Sequence, residues 1–488
     1  MRERRSFIFL CGRKEIRMEA FITWLSQANS ALNNIVWGVP AMVLILGTGL
    51  LLTIGTRFTQ FRHFGYAMKH TIGQIGQKHV TTDKGAVTPF QAVCTALAAT
   101  VGTGNIAGVA GAIALGGPGA VFWMWIAALV GMITKYSEVV LSIKYRERNK
   151  NGEWVGGPMY YIKNGLGRRW KWLAGIFCVL AILASFGIGN IAQINSIAGA
   201  VTSAVLVFNA GASVRTVCLV TGMIVLVFVA LVSIGGVKRV GRVTEALVPI
   251  MSIIYIVACL VVLAFNISRI GTVFAMIFEG AFKPSAVVGG GLGITIATAM
   301  KRGVSRGIFS NEAGLGSAPI AHAAADTDSP VKQGLFGIFE VFADTLVICT
   351  LTALTILISG IDITYGQKAG ADLSIAAFST VFSGSAASVI IAVALTLFAT
   401  TTILSWNLYG SRCCEYLFGT PKASLVYKVL FLPVILAGAT MDLQLAWDIS
   451  DTLNGLMAIP NLIAVLLLSP VVCKLTKEYF DREKKLSR

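Results

Sequence analysis

Residues 99–105 read Ala99-Thr100-Val101-Gly102-Thr103-Gly104-Asn105 and interrupt a long apolar run with two glycines, two threonines and an asparagine. Glycine and short polar residues are weak helix formers, so a helix through this segment is predicted to break. A second interruption, Gly307-Ile308-Phe309-Ser310-Asn311-Glu312-Ala313-Gly314-Leu315-Gly316-Ser317, adds a carboxylate and hydroxyls to another apolar stretch. The alternatives are a small-residue packing face between helices for the first segment and a re-entrant loop or an extramembrane turn for the second.

The composition indicates what surrounds these two segments. Of the 488 residues, 55% are hydrophobic and only 13% are charged, whereas about 25% of the residues of a soluble domain are charged. So few charges cannot cover a water-facing surface of this size. The composition therefore excludes a soluble enzyme, a disordered protein and a disulfide-rich secreted module, and it predicts an all-α integral membrane protein.

Eleven segments are apolar enough for the roughly 20 residues that a helix needs to cross a bilayer. They cover residues 36–56, 89–113, 119–142, 173–199, 215–236, 247–266, 293–325, 334–359, 386–409, 425–441 and 446–472. The predicted organisation is an N-terminal extension with an interfacial helix, an extra transmembrane helix, two five-helix repeats and a basic cytoplasmic tail, over residues 1–35, 36–56, 89–266, 293–472 and 473–488.

The net charge of +17 is unevenly distributed along the chain. Alternate connections between the spans hold 26 Lys and Arg residues, and the opposite set holds 4. Because basic residues accumulate in cytoplasmic loops, the C-terminus is predicted to be cytoplasmic, and the charge indicates orientation rather than a nucleic-acid partner. Six basic residues within residues 1–17 oppose this orientation. We therefore hypothesise that the physiological start is Met18, the alternative being a tolerated basic tail.

The two interrupted segments occupy corresponding positions, since each lies in the first helix of a five-helix block and the two helices are predicted to run in opposite directions. Such a pair of Gly-interrupted helices indicates the central site of a secondary transporter. Amide groups at the start of the second half of a broken helix attract an anion, and carbonyl groups at the end of the first half attract a cation. The pair therefore suits a zwitterionic amino acid together with Na⁺, to which Thr400-Thr401-Thr402 could add hydroxyl ligands.

Four sequence motifs, two of which overlap the interrupted segments, resemble those of a known family. They are the string from Gly116 to Ile126 that continues to Gly131, and those over residues 102–108, 156–161 and 310–319. In these strings the chain resembles the alanine or glycine:cation symporter family, over roughly residues 18–475. The resemblance implies uptake of small neutral amino acids coupled to Na⁺ or H⁺ across a prokaryotic plasma membrane. It also implies the LeuT-type five-plus-five inverted repeat with one extra N-terminal helix.

The resemblance also implies site residues, carried over onto matching positions. The charged groups of the substrate would meet Thr103, Gly104 and Asn105, and Gln193 would hydrogen-bond the substrate. Phe309 and Trp406 would wall the side-chain pocket. Sodium would be held by Thr401 and Thr402 with carbonyl groups near Ala98 and Val101.

Other polar residues within the spans have less specific interpretations. Lys135 and Glu138 are three residues apart and are expected to form a structural pair, and Arg306 is a possible partner of Glu312. Glu340 and Asp344 share one helix face, with a proton or sodium role as the minority interpretation. A channel and a proton-coupled symporter of another neutral amino acid, such as glutamine or serine, remain alternatives. An enzyme is not predicted, since the sequence has no H-E-x-x-H pair, and a primary pump is not predicted, since it has no phosphate-binding loop with Gly-Lys.

Overall fold

The computed structural model describes residues 23–73, 83, 85–283, 294–441 and 443–486, with the backbone alone for 443–446 and 486, and most of these residues are helical. The hypothesised start at Met18 lies outside the described residues. The predicted interfacial segment that follows it contains the helix α1, Thr23–Val36.

The remaining α-helices of the described residues are numbered in chain order. Those of the first part are α2 Val39–Gly55, α3 Thr59–Arg62, α4 Phe64–Ile72, α5 Pro89–Thr100, α6 Gly104–Gly116, α7 Gly119–Tyr145, α8 Pro158–Tyr161, α9 Arg168–Phe208, α10 Val214–Ile234 and α11 Gly236–Phe265. Those of the second part are α12 Ile270–Phe282, α13 Ile296–Asn311, α14 Ala318–His322, α15 Pro330–Ile358, α16 Ala371–Phe378, α17 Gly384–Phe418, α18 Pro421–Thr440 and α19 Leu443–Leu486. An antiparallel strand pair, β1 Glu147–Arg148 and β2 Trp154–Val155, lies between α7 and α8.

Each predicted span coincides with a helix or a broken helix of the described residues. Within the described residues, eight helices are long and apolar enough to cross a membrane, or ten if each of two bent pairs counts as one span. The bent pairs are α1 with α2, at 41°, and α5 with α6, at 47°. The pair α13 and α14 is not among them, so the total of eleven spans stays a prediction. The last helix continues to Leu486, so the predicted tail over 473–488 begins as an extension of that helix.

The helix pair α5–α6, here called the first broken helix, lies beside α13–α14, the second broken helix, and runs in the opposite direction. Before α5, the N–H of Val87 donates to the carbonyl of Ala324 at 2.9 Å, and the N–H of Asp326 donates to that of Val87 at 2.8 Å. At the far end of α6, a Cβ added to Gly116 would lie 3.0 Å from Cβ of Arg302. The beginning of each broken helix therefore meets the end of the other, which confirms their predicted inverted relation.

The helix α7 packs closely against both α13 and α15 because glycines face it. A Cβ on Gly303 would come within 2.2 Å of the carbonyl oxygen of Ala120, and one on Gly337 within 3.0 Å of Cγ of Lys135. Small residues let membrane helices approach each other in this way. The contacts fix α7 as a support behind the second broken helix.

Candidate functional site: the interruptions of two antiparallel helices

The first broken helix loses its helical backbone after Thr100. Val101 has φ −78° and ψ 88°, and the helix resumes at Gly104. Gly102 lies against α17, where an added Cβ would come 2.6 Å from Oγ1 of Thr402. A larger residue would displace that hydroxyl, so glycine at this position brings the backbone of the first broken helix into contact with α17.

The second broken helix is not helical over residues 312–317. Glu312, Gly314 and Gly316 have φ values of 55°, 90° and 77°, in the left-handed region that glycine adopts readily and glutamate rarely does. The side chain of Glu312 is held at both oxygens. Nε1 of Trp406 donates to Oε1 at 2.8 Å, and Oγ of Ser317 donates to Oε2 at 2.5 Å. Glu312 is also buried, so this segment belongs to the interior of the bundle.

The two interruptions face each other across a short distance. A Cβ on Gly104 would lie 3.2 Å from Cα of Ser310. One carboxylate, Asp344 of α15, links both broken helices: Nδ2 of Asn105 donates to its Oδ1 at 2.6 Å, and Oγ of Ser310 donates to the same oxygen at 3.1 Å. Its other oxygen accepts a hydrogen bond from Oγ1 of Thr345 at 2.7 Å.

Asp344 is fully buried, and its three side-chain donors are all neutral. Burial of an ionised carboxylate is costly unless a positive charge compensates it, so this position would stabilise a cation or an ammonium group. The sequence spacing predicts that Asp344 and Glu340 share one helix face, but it does not predict the hydrogen bond between Asp344 and Asn105. The available signal was a carboxylate within an apolar span, which by default suggests a functional site.

The two aromatic residues predicted to wall the pocket are both buried. The ring of Phe309 stacks on that of Trp447 of α19, with centroids 5.1 Å apart and an interplanar angle of 21°. Trp406 lies against α9, where a Cβ on Gly189 would come 2.3 Å from Cβ of Trp406. The rings therefore bound the interruptions on two different sides, one towards α19 and the other towards α9.

Gln193 and Thr103, both predicted to bind the substrate, are in contact with each other. The N–H of Thr103 donates to Oε1 of Gln193 at 3.3 Å, and Nε2 of Gln193 donates to the carbonyl of Ile188 at 3.0 Å. Oγ1 of Thr103 is buried and has no hydrogen-bond partner within the described part of the chain. Asn105 differs, because its Oδ1 accepts from the N–H of Gly102 at 2.8 Å while its amide binds Asp344. Asn105 therefore stabilises the non-helical segment of the helix to which it belongs.

Two of the predicted cation ligands lie together. Oγ1 of Thr402 is 2.9 Å from the carbonyl oxygen of Ala98, and it also donates to its own helix at Phe398, at 3.0 Å. Val101, whose carbonyl is a further predicted ligand, is buried one residue before the glycine that touches Thr402. These oxygens lie at the carbonyl end of α5, where a cation is favoured.

Thr401 faces a different neighbour from Thr402. Its Oγ1 donates to the carbonyl of Phe398 at 2.8 Å and lies 3.6 Å from Sδ of Met251 in α11. Ser405, which the sequence analysis missed, donates to the carbonyl of Thr95 at 2.7 Å, one turn before Ala98. The hydroxyls that reach the first broken helix thus belong to residues three apart on α17, a spacing that places them on one helix face.

A separate buried charged group supports the second broken helix. Nζ of Lys135 lies 3.1 Å from Oε1 of Glu340, and Nε2 of His322 lies 3.2 Å from its Oε2. The expected pair of Lys135 and Glu138 is therefore wrong. Oε1 of Glu138 instead accepts a hydrogen bond from the N–H of Gly316 at 3.1 Å, because three residues along α7 turn the two side chains towards different partners.

Polar contacts close the space around the two interruptions at both ends. Arg306 donates two hydrogen bonds to Asp451 of α19, at 2.8 and 2.7 Å, and not to Glu312. Beyond α14, Arg146 donates to the carbonyls of Ala323 at 3.0 Å and Ala325 at 2.5 Å. All the predicted substrate-site residues lie buried between these two contacts.

Comparison with known proteins gives a consistent assignment over most of the chain. A model of the sodium:alanine symporter family matches residues 22–488. The sodium/alanine symporter AgcS of Methanococcus maripaludis is 46% identical over 459 residues, which cover 93% of this chain and 97% of that protein. A probable sodium/glutamine symporter, GlnT of Bacillus subtilis, is 39% identical over 93% of this chain and 91% of its own length.

Among solved structures, MhsT in complex with L-phenylalanine aligns with a TM-score of 0.55 at 12% identity, over 82% of this chain and 99% of that chain. At this identity the likeness concerns the fold alone. It confirms the predicted LeuT-type architecture.

Proposed function

This chain belongs to the sodium:alanine symporter family and is thus a cation-coupled amino-acid symporter and not an enzyme. We propose that it couples inward movement of Na⁺ to uptake of a small neutral amino acid such as alanine or glycine. Transport would proceed by alternating access in a prokaryotic plasma membrane, with the C-terminus in the cytoplasm. The observation that carries the proposal is the 2.9 Å approach of Oγ1 of Thr402 to the carbonyl oxygen of Ala98, beside the interruption of the first broken helix.

The proposed sodium ligands are the carbonyl groups of Ala98 and Val101 and the hydroxyls of Thr401 and Thr402. Hard oxygen ligands suit an alkali cation, and the carbonyl end of α5 adds a favourable dipole. Oγ1 of Thr402 has one proton and two carbonyl acceptors within reach, those of Ala98 and Phe398. With Na⁺ between Thr402 and Ala98, the hydroxyl would donate to Phe398, and both oxygens would turn their lone pairs to the ion.

The substrate would bind across the two interruptions. Thr103, Gly104 and Asn105 begin the second half of the first broken helix, whose amide end favours a carboxylate. The unpartnered Oγ1 of Thr103 supports this placement. Gln193 holds the same segment from α9, and Asp344 supplies the negative charge that an ammonium group or a cation would compensate.

Phe309 and Trp406 restrict the substrate side chain by steric exclusion. Both are buried and held by partners on other helices, Phe309 by its stacking on Trp447 and Trp406 by its hydrogen bond to Glu312. Rings fixed in this way cannot easily move aside for a larger side chain. Small amino acids are therefore the proposed substrates, with serine and glutamine as alternatives.

Proton coupling is the second candidate, and Asp344 favours it, since a buried carboxylate between the two broken helices could carry a proton in place of the cation. The test is uptake of labelled alanine by proteoliposomes that contain the full chain. An imposed sodium gradient should drive alanine above its equilibrium level, also when a protonophore removes any pH gradient. Accumulation that follows a pH gradient in sodium-free buffer would support proton coupling, and flux without accumulation would indicate a channel.

The ligand assignment is tested by comparing two threonines of α17. Thr402→Val removes the hydroxyl that reaches Ala98, whereas Thr396→Val removes one that donates only to its own helix, at Ala392. A contact to a charged group contributes about 1.5–3 kcal/mol, so the sodium concentration for half-maximal uptake should rise about tenfold or more in Thr402→Val alone. Equal effects of the two substitutions would argue against this sodium site.

A further inference from the structure

A groove of about 820 Å³ lies between the turn that follows α2 and the end of α19, and the residues that line it belong to neither broken helix. Arg57, Arg62, Lys474 and Lys477 line it, together with Lys484 and other residues of these two segments. We call it the basic groove. Its base is formed in part by the ring of His63, which stacks on that of Phe480 with centroids 3.6 Å apart.

The groove carries an excess of positive charge. Five Lys and Arg side chains line it against two carboxylates, Asp481 and Glu483. Glu483 already accepts a hydrogen bond from the hydroxyl of Tyr66 at 3.4 Å. Arg57 and Arg62 are exposed and form no ion pair within the described part of the chain. A phosphate group would complement this lining.

The depth of the groove in the membrane follows from the surfaces that lead to it. Along α2, Val43, Gly47, Leu50 and Ile54 are exposed on one face and form an apolar stripe. The stripe ends at Arg57, three residues beyond Ile54. A surface that changes from apolar to basic in one turn marks the level of the lipid headgroups.

The turn at this level has an uncommon backbone. Arg57 and Phe58 both have positive φ, at 57° and 60°, a conformation that is unfavourable for bulky residues. The N–H of Phe58 donates to the carbonyl of Thr53 at 2.7 Å and holds the turn. The result is that Arg57 lines the groove, while the side chains of Phe58 and Phe61 are each 50% exposed, as aromatic residues at a membrane interface commonly are.

We propose that the basic groove binds the headgroup phosphate of an anionic phospholipid, with an acyl chain lying along the stripe of Val43, Gly47, Leu50 and Ile54. Arg57, three residues beyond the last residue of the stripe, lines the groove, so one lipid molecule could reach both. Basic pockets at headgroup depth bind anionic lipids through the same combination of charge and apolar surface. A free phosphate ion would use the groove but not the stripe. The proposal concerns a second binding site and does not depend on which ion or amino acid the central site accepts.

The experiment measures lipid selectivity in nanodiscs that contain the full chain and spin-labelled phosphatidylglycerol or spin-labelled phosphatidylcholine. The fraction of immobilised label gives the relative affinity of the two lipids. The test variant is Arg57→Gln with Arg62→Gln and Lys477→Gln. A charge-retaining variant, Arg57→Lys with Arg62→Lys and Lys477→Arg, shows whether the altered segment still folds. The matched control is Arg168→Gln with Arg169→Gln and Lys422→Gln, which removes three exposed charges outside the groove.

The native chain, the control and the charge-retaining variant should all prefer phosphatidylglycerol, and the test variant should lose about tenfold in this preference. An equal loss in the control would mean that general surface charge is responsible, and would overturn the proposal. So would an unchanged preference in the test variant. Displacement of the labelled lipid by millimolar inorganic phosphate at constant ionic strength would also overturn it, because the ligand would then be the ion.

Discussion

Replacing Lys135 with methionine is expected to destabilise the protein by about 3–5 kcal/mol, the usual cost of removing one partner of a buried ion pair. Lys135 and Glu340 are both completely buried, with 3.1 Å between Nζ and Oε1. At an effective dielectric constant of about 20, two unit charges at this distance attract each other by about 5 kcal/mol. Methionine fills a similar volume, so the loss would come from the charge that Glu340 retains and not from a cavity.

The double variant Lys135→Met with Glu340→Gln separates this explanation from lost packing. It also removes the charge of Glu340, so it should be more stable than Lys135→Met alone, although it carries one more substitution. Lys332→Met is the control, because Lys332 pairs with Asp328 on the surface, where such pairs contribute at most about 1 kcal/mol. The readout is the midpoint of thermal unfolding in detergent, compared among the variants under one set of conditions.

His322 is the second partner of Glu340. Its Nε2 lies 3.2 Å from Oε2 of Glu340, and its Nδ1 lies 2.9 Å from Nε2 of Gln333. These contacts do not involve Lys135, so Lys135→Met removes the ion pair and leaves them in place. A double variant that is less stable than Lys135→Met would refute the argument from buried charge.

Three further predictions concern the central site. Trp406→Ala should raise uptake of larger neutral amino acids relative to alanine by about tenfold or more, while Trp406→Phe, which keeps a ring, should not; the measurement is competition against labelled alanine. Asp344→Asn should raise the sodium concentration for half-maximal uptake about tenfold or more without lowering the unfolding midpoint, because the amide keeps the shape and removes a buried charge. Arg306→Gln should weaken the contact with Asp451 and increase the rate at which Cys349 reacts with a small methanethiosulfonate about tenfold. The rate is measured with the other cysteines replaced by serine. An unchanged rate would mean that this ion pair does not close the site.

The spans and the two interruptions could be predicted from the sequence because they depend on local properties. Hydropathy over about 20 residues defines a span, and Gly102, Gly104, Gly314 and Gly316 weaken a helix wherever it lies. The extension of α19 to Leu486 could not be predicted from such local properties. The charges after residue 473 predict a tail, yet outside the apolar layer a charged sequence can continue a helix.

The partners of the buried charges could not be predicted because they depend on the rotation of helices about their axes. Lys135 and Glu138 are neighbours along α7, but Lys135 meets Glu340 and Glu138 meets Gly316. Glu340 and Asp344 share a helix face, but the first binds a lysine and the second binds neutral donors. Sequence spacing gives the face on which a charge lies and leaves open the helix that faces it.

The different partners of Glu340 and Asp344 indicate how binding of the ion and of the substrate could be coupled. Glu340 already has its counter-charge in Lys135, so a bound cation would gain little there, whereas Asp344 has only neutral donors from Asn105, Ser310 and Thr345. A positive ligand near Asp344 would remove the cost of its buried charge and, through Asn105, stabilise the interruption on which the substrate is proposed to bind. If binding of the ion orders that segment, the amino acid must strengthen ion binding by the same factor, because coupling free energies are reciprocal. Coupling then requires no direct contact between ion and substrate, since both would act on the same short segment of the first broken helix.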